Sequence, residues 1–91
     1  MNNPLGTVSM SQRIFSMNLA VETVSLYLLC CALADAGTPI NRETVSARWN
    51  GSDAELEREI ASLEKRNIIR RSDAPTASLV TYQLVADRAW R

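Results

Sequence analysis

Residues 24–34 are apolar at every position except Ser25, and this run constrains the fold more than any other feature of the chain. Carrying it back to Leu19 admits Glu22 and Thr23, so it falls short of the roughly 20 predominantly apolar residues of a membrane span. Residues 1–12 hold no Lys or Arg, unlike the positively charged start of a signal peptide. The expectation is a cytoplasmic chain that buries the run as a helix. Phe15, Met17, Leu19 and Val21 alternate as in a strand, but Met17, Val21, Val24 and Leu28 also make a helical face. The length of the stretch favours a helix from near Met17 or Asn18 to Ala36. Gly37 suits the left-handed position after its end, and Pro39 prevents continuation.

A chain of 91 residues has room for one domain. Ten basic and ten acidic residues cancel, as in an ordinary soluble protein. The absence of His removes the commonest general base and metal ligand. Cys30 and Cys31 are adjacent, and on a helix they point about 100° apart, which suits neither a mutual bridge nor a zinc site. They read as small buried hydrophobes of a reducing compartment, with a disulfide-linked dimer as the minor alternative. The chain also lacks a nucleophile with a His partner, a G-x-S-x-G elbow and a phosphate-cradling glycine loop. The sequence therefore points away from an enzyme, and nothing in it calls for a cofactor or metal.

Residues 1–16 read as a flexible tail and residues 17–91 as the folded domain. After the first helix, Asn41 caps a short one that ends near Trp49, where Asn50-Gly51 is turn chemistry. Ile40 and Val45 form a hydrophobic staple across its start. Ser52 and Glu55 then fit a capping box, and Leu56, Ile60 and Leu63 recur at helical spacing. The period stops at Asn67, and Ile68-Ile69 opens a strand. Residues 73–78 read as a turn, residues 79–85 as the returning strand, and residues 86–91 as a final helical turn. The expected core combines Leu26, Leu29, Cys30 and Leu33 with Ile40, Val45, Trp49, Leu56, Ile60, Leu63, Ile69, Tyr82 and Leu84.

This order, together with Leu28-Leu-Cys-Cys-Ala-Leu33 before Ala36-Gly37 and the run Leu56-x3-Ile60-x2-Leu63-x3-Asn67-Ile68-Ile69-Arg70-Arg71, resembles the winged helix-turn-helix superfamily. The resemblance covers residues 24–84 and is nearest to bacterial regulators of the multiple-antibiotic-resistance and arsenic-responsive repressor types. The family's own run reads L-x3-I-x2-L-x3-G-L-I-x-R, so Asn67 stands where the family has Gly. The resemblance implies an α+β fold, a three-helix core followed by a C-terminal β-hairpin wing, and a third helix that enters the major groove of double-stranded DNA.

On that third helix the face opposite Leu56, Ile60 and Leu63 carries Ala54, Arg58, Ala61, Ser62 and Lys65. Small residues and two cations suit close approach to a duplex. Asp53, Glu57 and Glu64 fall on one flank, Glu55 and Glu59 on the other. Arg58, Ser62, Lys65, Arg48 and Arg70 are the candidate DNA-binding residues. Residues 41–71 hold seven bases and six acids, a slight excess, while a sequence pI near 6.2 weighs against tight DNA binding. The wing tip, residues 74–78, follows Asp73 and offers no cation; Thr76 and Ser78 bring only hydroxyls.

Met17, Val21, Val24, Leu28 and Ala32 give the first helix a second apolar stripe, which needs cover. Ile14-Phe15, Trp90 and a second copy of the chain are the candidate covers. Met17, Val21, Val24 and Leu28 are the candidate homodimer interface. Two functions remain open: a transcriptional regulator that reads duplex DNA as a dimer, and a winged-helix module that binds protein without DNA.

Overall fold

The computed structural model describes residues 10–72 and 80–91. They form a small α+β arrangement in which three helices, α1 (Val21–Asp35), α2 (Arg42–Ser46) and α3 (Asp53–Lys65), precede an antiparallel pair of strands, β1 (Ile69–Arg71) and β2 (Tyr82–Leu84). A 3-10 turn, Gln12–Ser16, leads into α1, and another, Asp87–Ala89, follows β2. No helix among the described residues is long and apolar enough to cross a membrane.

α1 begins later than its apolar period suggests. Asn18 adopts φ 57°, a left-handed conformation that Asn tolerates better than most residues, and this breaks the chain between the first 3-10 turn and Val21. The helix ends at Asp35, and Ala36 caps it. Gly37 at φ 75° donates to Ala34 O, and Thr38 donates to Leu33 O at 2.9 Å, which closes the last turn as a Schellman motif. The same closure ends α3, with Asn67 at φ 58° donating to Glu64 O and Ile68 donating to Leu63 O. Leu63 and Ile68 are both fully buried, so the motif's hydrophobic contact belongs to the core.

Both remaining helix starts carry capping boxes. Thr44 N donates to Asn41 Oδ1 at 2.8 Å while Asn41 N donates to Thr44 Oγ1 at 3.0 Å. Ser52 and Glu55 repeat the exchange at the head of α3. Regular helix in α2 stops at Ser46, and single turns carry the chain on to Trp49. The strands pair Ile69 with Leu84, Arg70 with Gln83 and Arg71 with Tyr82. The returning strand is shorter than expected: Thr81 precedes it, bridging Asn41 and accepting from Ser72 N at 2.8 Å, and Tyr82 N donates to Ile40 O, which ties the hairpin to the start of α2. The expected turn at residues 73–78 and Leu79 lie outside the described residues.

The core joins Leu26, Cys30 and Leu33 of α1 to Ile40, Val45, Leu56, Ile60, Leu63, Ile68 and Ile69. Leu29, Trp49, Tyr82 and Leu84, expected inside, are partly buried at its margin. Tyr27 is an unexpected member. Its ring meets Trp90 edge-on at a centroid distance of 5.4 Å, and its hydroxyl accepts from Ser11 N at 2.8 Å. Ser11 Oγ donates in turn to Asp87 Oδ2 at 2.6 Å, so the segments before α1 and after β2 meet over Tyr27. Ile14, within the stretch read as tail, is fully buried.

Candidate nucleic-acid interface

The inward residues of α3 are Leu56, Ile60 and Leu63, which fixes what the helix presents outward. Ala54, Arg58, Ala61 and Lys65 are exposed on the opposite side, with the Arg58 side chain 68% accessible. Lys65 has no hydrogen-bond or ion-pair partner among the described residues. Ser62 stands at the flank, and its hydroxyl donates to Arg58 O one turn back at 3.1 Å.

The carboxylates of α3 are engaged around this face. The Glu57 carboxylate pairs with Arg42 of α2. Glu64 Oε1 lies 3.4 Å from Arg71 Nη2 of β1, whose guanidinium also sits 5.9 Å from the centre of the Tyr82 ring. Glu55 Oε1 accepts from Ser52 N at 3.0 Å. Asp53 and Glu55 both lie in the first turn, where the helix dipole favours negative charge.

Glu59 departs from the flank position expected for it. It is buried at 8% exposure, and Thr23 Oγ1 of α1 donates to its Oε1 at 2.6 Å. Its place on the helix is the edge of the core face, about 60° from the centre of that face at 100° per residue, and a carboxylate persists there because a donor from another helix meets it. Periodicity identifies such an edge position but not the distant hydroxyl that satisfies it.

Arg48 and Arg70 stand on other segments of the chain than Arg58 and Lys65. Arg48 follows α2, its Nη1 donating to Thr44 O at 3.5 Å, and it lines a concavity beside Trp49 and Glu55. Arg70 alternates with Ile69 and Arg71 along β1, so it projects from the side of the strand opposite the one from which Arg71 reaches Glu64. The wing tip, with Thr76 and Ser78, lies outside the described residues.

The second apolar stripe of α1 is covered in part. Met17, Val24 and Leu28 pack against the core, while Ala32 is exposed and Val21 is 76% exposed. Of the candidate covers, Ile14 is buried beside Val24, Phe15 is 60% exposed, and Trp90 packs on Tyr27. Phe15 and Val21 therefore leave a small apolar patch at the start of α1, next to a hollow of about 340 Å³ that both of them line.

Cys30 and Cys31 are both buried and form no disulfide. Burial pushes the Cys30 thiol up to about 12 and raises that of Cys31 as well, so neither presents a reactive thiolate near neutral pH.

No known family matches the chain, and no curated protein or solved structure matches it either.

Proposed function

We propose that the protein is a small winged-helix DNA-binding regulator of transcription that reads duplex DNA with α3. One observation carries the reading. On α3, Arg58 and Lys65 share an outward face with Ala54 and Ala61, while Glu55, Glu57 and Glu64 each engage a partner away from it and Glu59 is buried on Thr23, with Arg58 Nε 3.9 Å from its other oxygen. A helix with more acids than bases thereby offers cations to the outside. Lys65 suits a phosphate and Arg58 a phosphate or guanine. Small residues between them let the helix backbone approach the groove. The order of helices and hairpin supports the same assignment, with the strands β1 and β2 as the base of the wing.

The regulator acts as a homodimer on this reading, with Phe15 and Val21 as the exposed apolar contacts and Met17, Val24 and Leu28 beneath them. Dimerisation doubles the phosphate contacts, which offsets the neutral net charge of a single chain.

Balanced charge and the exposed Phe15 favour a second reading, a winged-helix module that binds protein. Fluorescence anisotropy with a mixed-sequence duplex separates the two. The DNA reading expects binding that weakens steeply between about 50 and 200 mM salt, through release of counterions. Absence of salt-dependent binding at the low end removes it in favour of the protein-binding module.

A further inference from the structure

Between the N-terminal half of α1 and the link from α2 to α3 the surface sinks into a concavity of about 450 Å³. Small-molecule sites occupy roughly 300–1,000 Å³. Val21, Leu29 and Trp49 supply apolar walls, and Glu22, Arg48 and Glu55 supply charge.

The two tryptophans differ in a way that points to a ligand. Trp90 Nε1 donates to Val85 O at 2.9 Å. Trp49 Nε1 is buried and finds no hydrogen-bond partner among the described residues. Buried donors are paired in the great majority of cases, because an unpaired one has lost water and gained nothing. The indole nitrogen sits in a corner formed with Gly51 and Glu55: a Cβ on Gly51 would approach it to 2.9 Å and would collide with the Glu55 carboxylate. Glu55 Oε1 already accepts from Ser52 N. An acceptor would therefore reach the indole nitrogen by displacing this carboxylate, the end of a flexible side chain, from the corner.

The charges around the concavity select the occupant. An anion would face Glu22 and Glu55, with Arg48 turned toward the Thr44 carbonyl. A simple ammonium ion would bring no acceptor to the indole. We propose that this concavity binds a small neutral organic molecule whose carbonyl oxygen accepts from Trp49 Nε1 and whose apolar body lies on Val21 and Leu29. Arg58 and Lys65 lie outside its lining, while Val21 is shared with the proposed dimer contact and Arg48 with the candidate DNA-binding residues.

The test is a ¹H–¹⁵N titration of the full chain, with Trp49→Phe assigning the indole resonance and Trp90 as internal control. Three probes share a cyclohexyl body and differ in the polar head: N-cyclohexylacetamide, cyclohexanecarboxylate and cyclohexylammonium. The neutral amide should move the Trp49 indole signal saturably downfield and leave Trp90 in place, and the two ions should bind at least about tenfold more weakly. Val21→Asn, at a position too exposed to disturb folding, should weaken the amide. Gly51→Ala should abolish its effect. No saturable movement of Trp49 up to about 10 mM amide, well above a millimolar dissociation constant, overturns the proposal. So does an equal response to all three probes, or binding unchanged in both variants.

Discussion

Thr23 Oγ1 donates to Glu59 Oε1 across 2.6 Å, and both residues are buried, so among the described residues one neutral hydroxyl hydrogen-bonds this carboxylate between α1 and α3. Arg58 Nε stands 3.9 Å from the other oxygen of Glu59, but the Arg58 side chain is largely exposed and its attraction is screened by water. The pair joins the first turn of α1 to the middle of α3, the helix that carries the proposed interface. It therefore bears on how firmly that helix is held.

Replacing the hydroxyl tests its weight. Thr23→Val keeps the shape and leaves the carboxylate without its donor. A hydrogen bond to a charged group contributes about 1.5–3 kcal/mol, so the urea midpoint should fall by an amount in that range divided by the m-value. The double change Thr23→Val with Glu59→Leu should recover much of the loss, because it removes the buried polar group as well as its partner. A Thr23→Val chain as stable as the parent would mean that Arg58 or water satisfies the carboxylate instead.

The features legible in the sequence are those whose partners are three to five residues apart. Asn41 with Thr44, Ser52 with Glu55 and Ile40 with Val45 are such pairs, and all sit where their spacing puts them. Gly37 announces the end of α1 for the same reason. The outward face of α3 follows from the period of Leu56, Ile60 and Leu63. What spacing does not reveal depends on the path of the chain. Ser11 reaches Tyr27 sixteen residues on and Asp87 seventy-six residues on. The counterions Arg42 and Arg71 arrive at α3 from other elements, and Thr23 reaches Glu59 from another helix. The start of α1 was hidden differently. The apolar period from Met17 through Leu28 continues across the left-handed Asn18, so periodicity reads one helix where the backbone makes a break.

Asn67 supports a second prediction. Its φ of 58° is strained for an ordinary residue, and its Nδ2 also donates to Ala89 O at 3.0 Å, a tie to the segment after β2. Asn67→Ala should cost about 1–2 kcal/mol, from the left-handed backbone alone, with any loss of the tie added to that. Asn67→Gly relieves the backbone and loses only the tie, so it should be the milder change. Denaturant unfolding of the three chains checks the order, and an alanine chain at least as stable as the glycine chain would contradict it.

Burial of the thiols makes stability depend on pH above neutrality. The Cys30 thiol is raised to about 12 from 9.0, so between those values the unfolded chain has lost a proton that the folded chain retains. Unfolding then becomes easier as pH rises, by up to about 1.4 kcal/mol per pH unit for each such group. The contribution is fully present below pH 9 and is progressively lost toward 12. Cys31 shifts in the same direction. In the chain with both cysteines changed to alanine, the pH dependence of the melting temperature above 9 should be shallower, although packing losses lower the melting temperature overall. At neutral pH, thiol labelling of the native parent should proceed only as fast as the fold opens.

Val21 separates self-association from folding better than Val24 does. Val24 packs against the core, so a charge there would disturb both. Val21 is 76% exposed, and substitutions at such surface positions usually change stability by no more than about 0.5 kcal/mol. Val21→Glu should therefore leave the melting temperature of the monomer nearly unchanged while it abolishes the dimer, because it would bring like charges together across a two-fold interface. Sedimentation velocity checks both chains. A parent chain that remains monomeric at high micromolar concentration would remove the dimer from the proposal.

The outward face of α3 makes the sharpest prediction about function. Lys65 is exposed and carries charge without a fixed partner among the described residues, as a phosphate contact requires. Lys65→Ala should weaken binding to all duplex sequences alike and reduce the slope of log affinity against log salt by about 0.9. Arg58 lies two turns earlier on the same face, where it can meet a base edge. Arg58→Ala should cost about 1–3 kcal/mol on a preferred sequence and relax discrimination at one base pair. Because Arg58 stands near Glu59, its variant needs a matched unfolding curve to separate binding from stability. Ser62→Ala should have little effect, since the hydroxyl already serves the Arg58 carbonyl. Arg70→Ala should also have the smaller effect, since strand alternation turns it away from the side on which Arg71 meets α3. If Arg70 or Ser62 proves decisive while Lys65 and Arg58 are silent, DNA approaches by a different surface. If none of the four matters and the parent shows no salt-dependent affinity, the same face is to be tested against proteins.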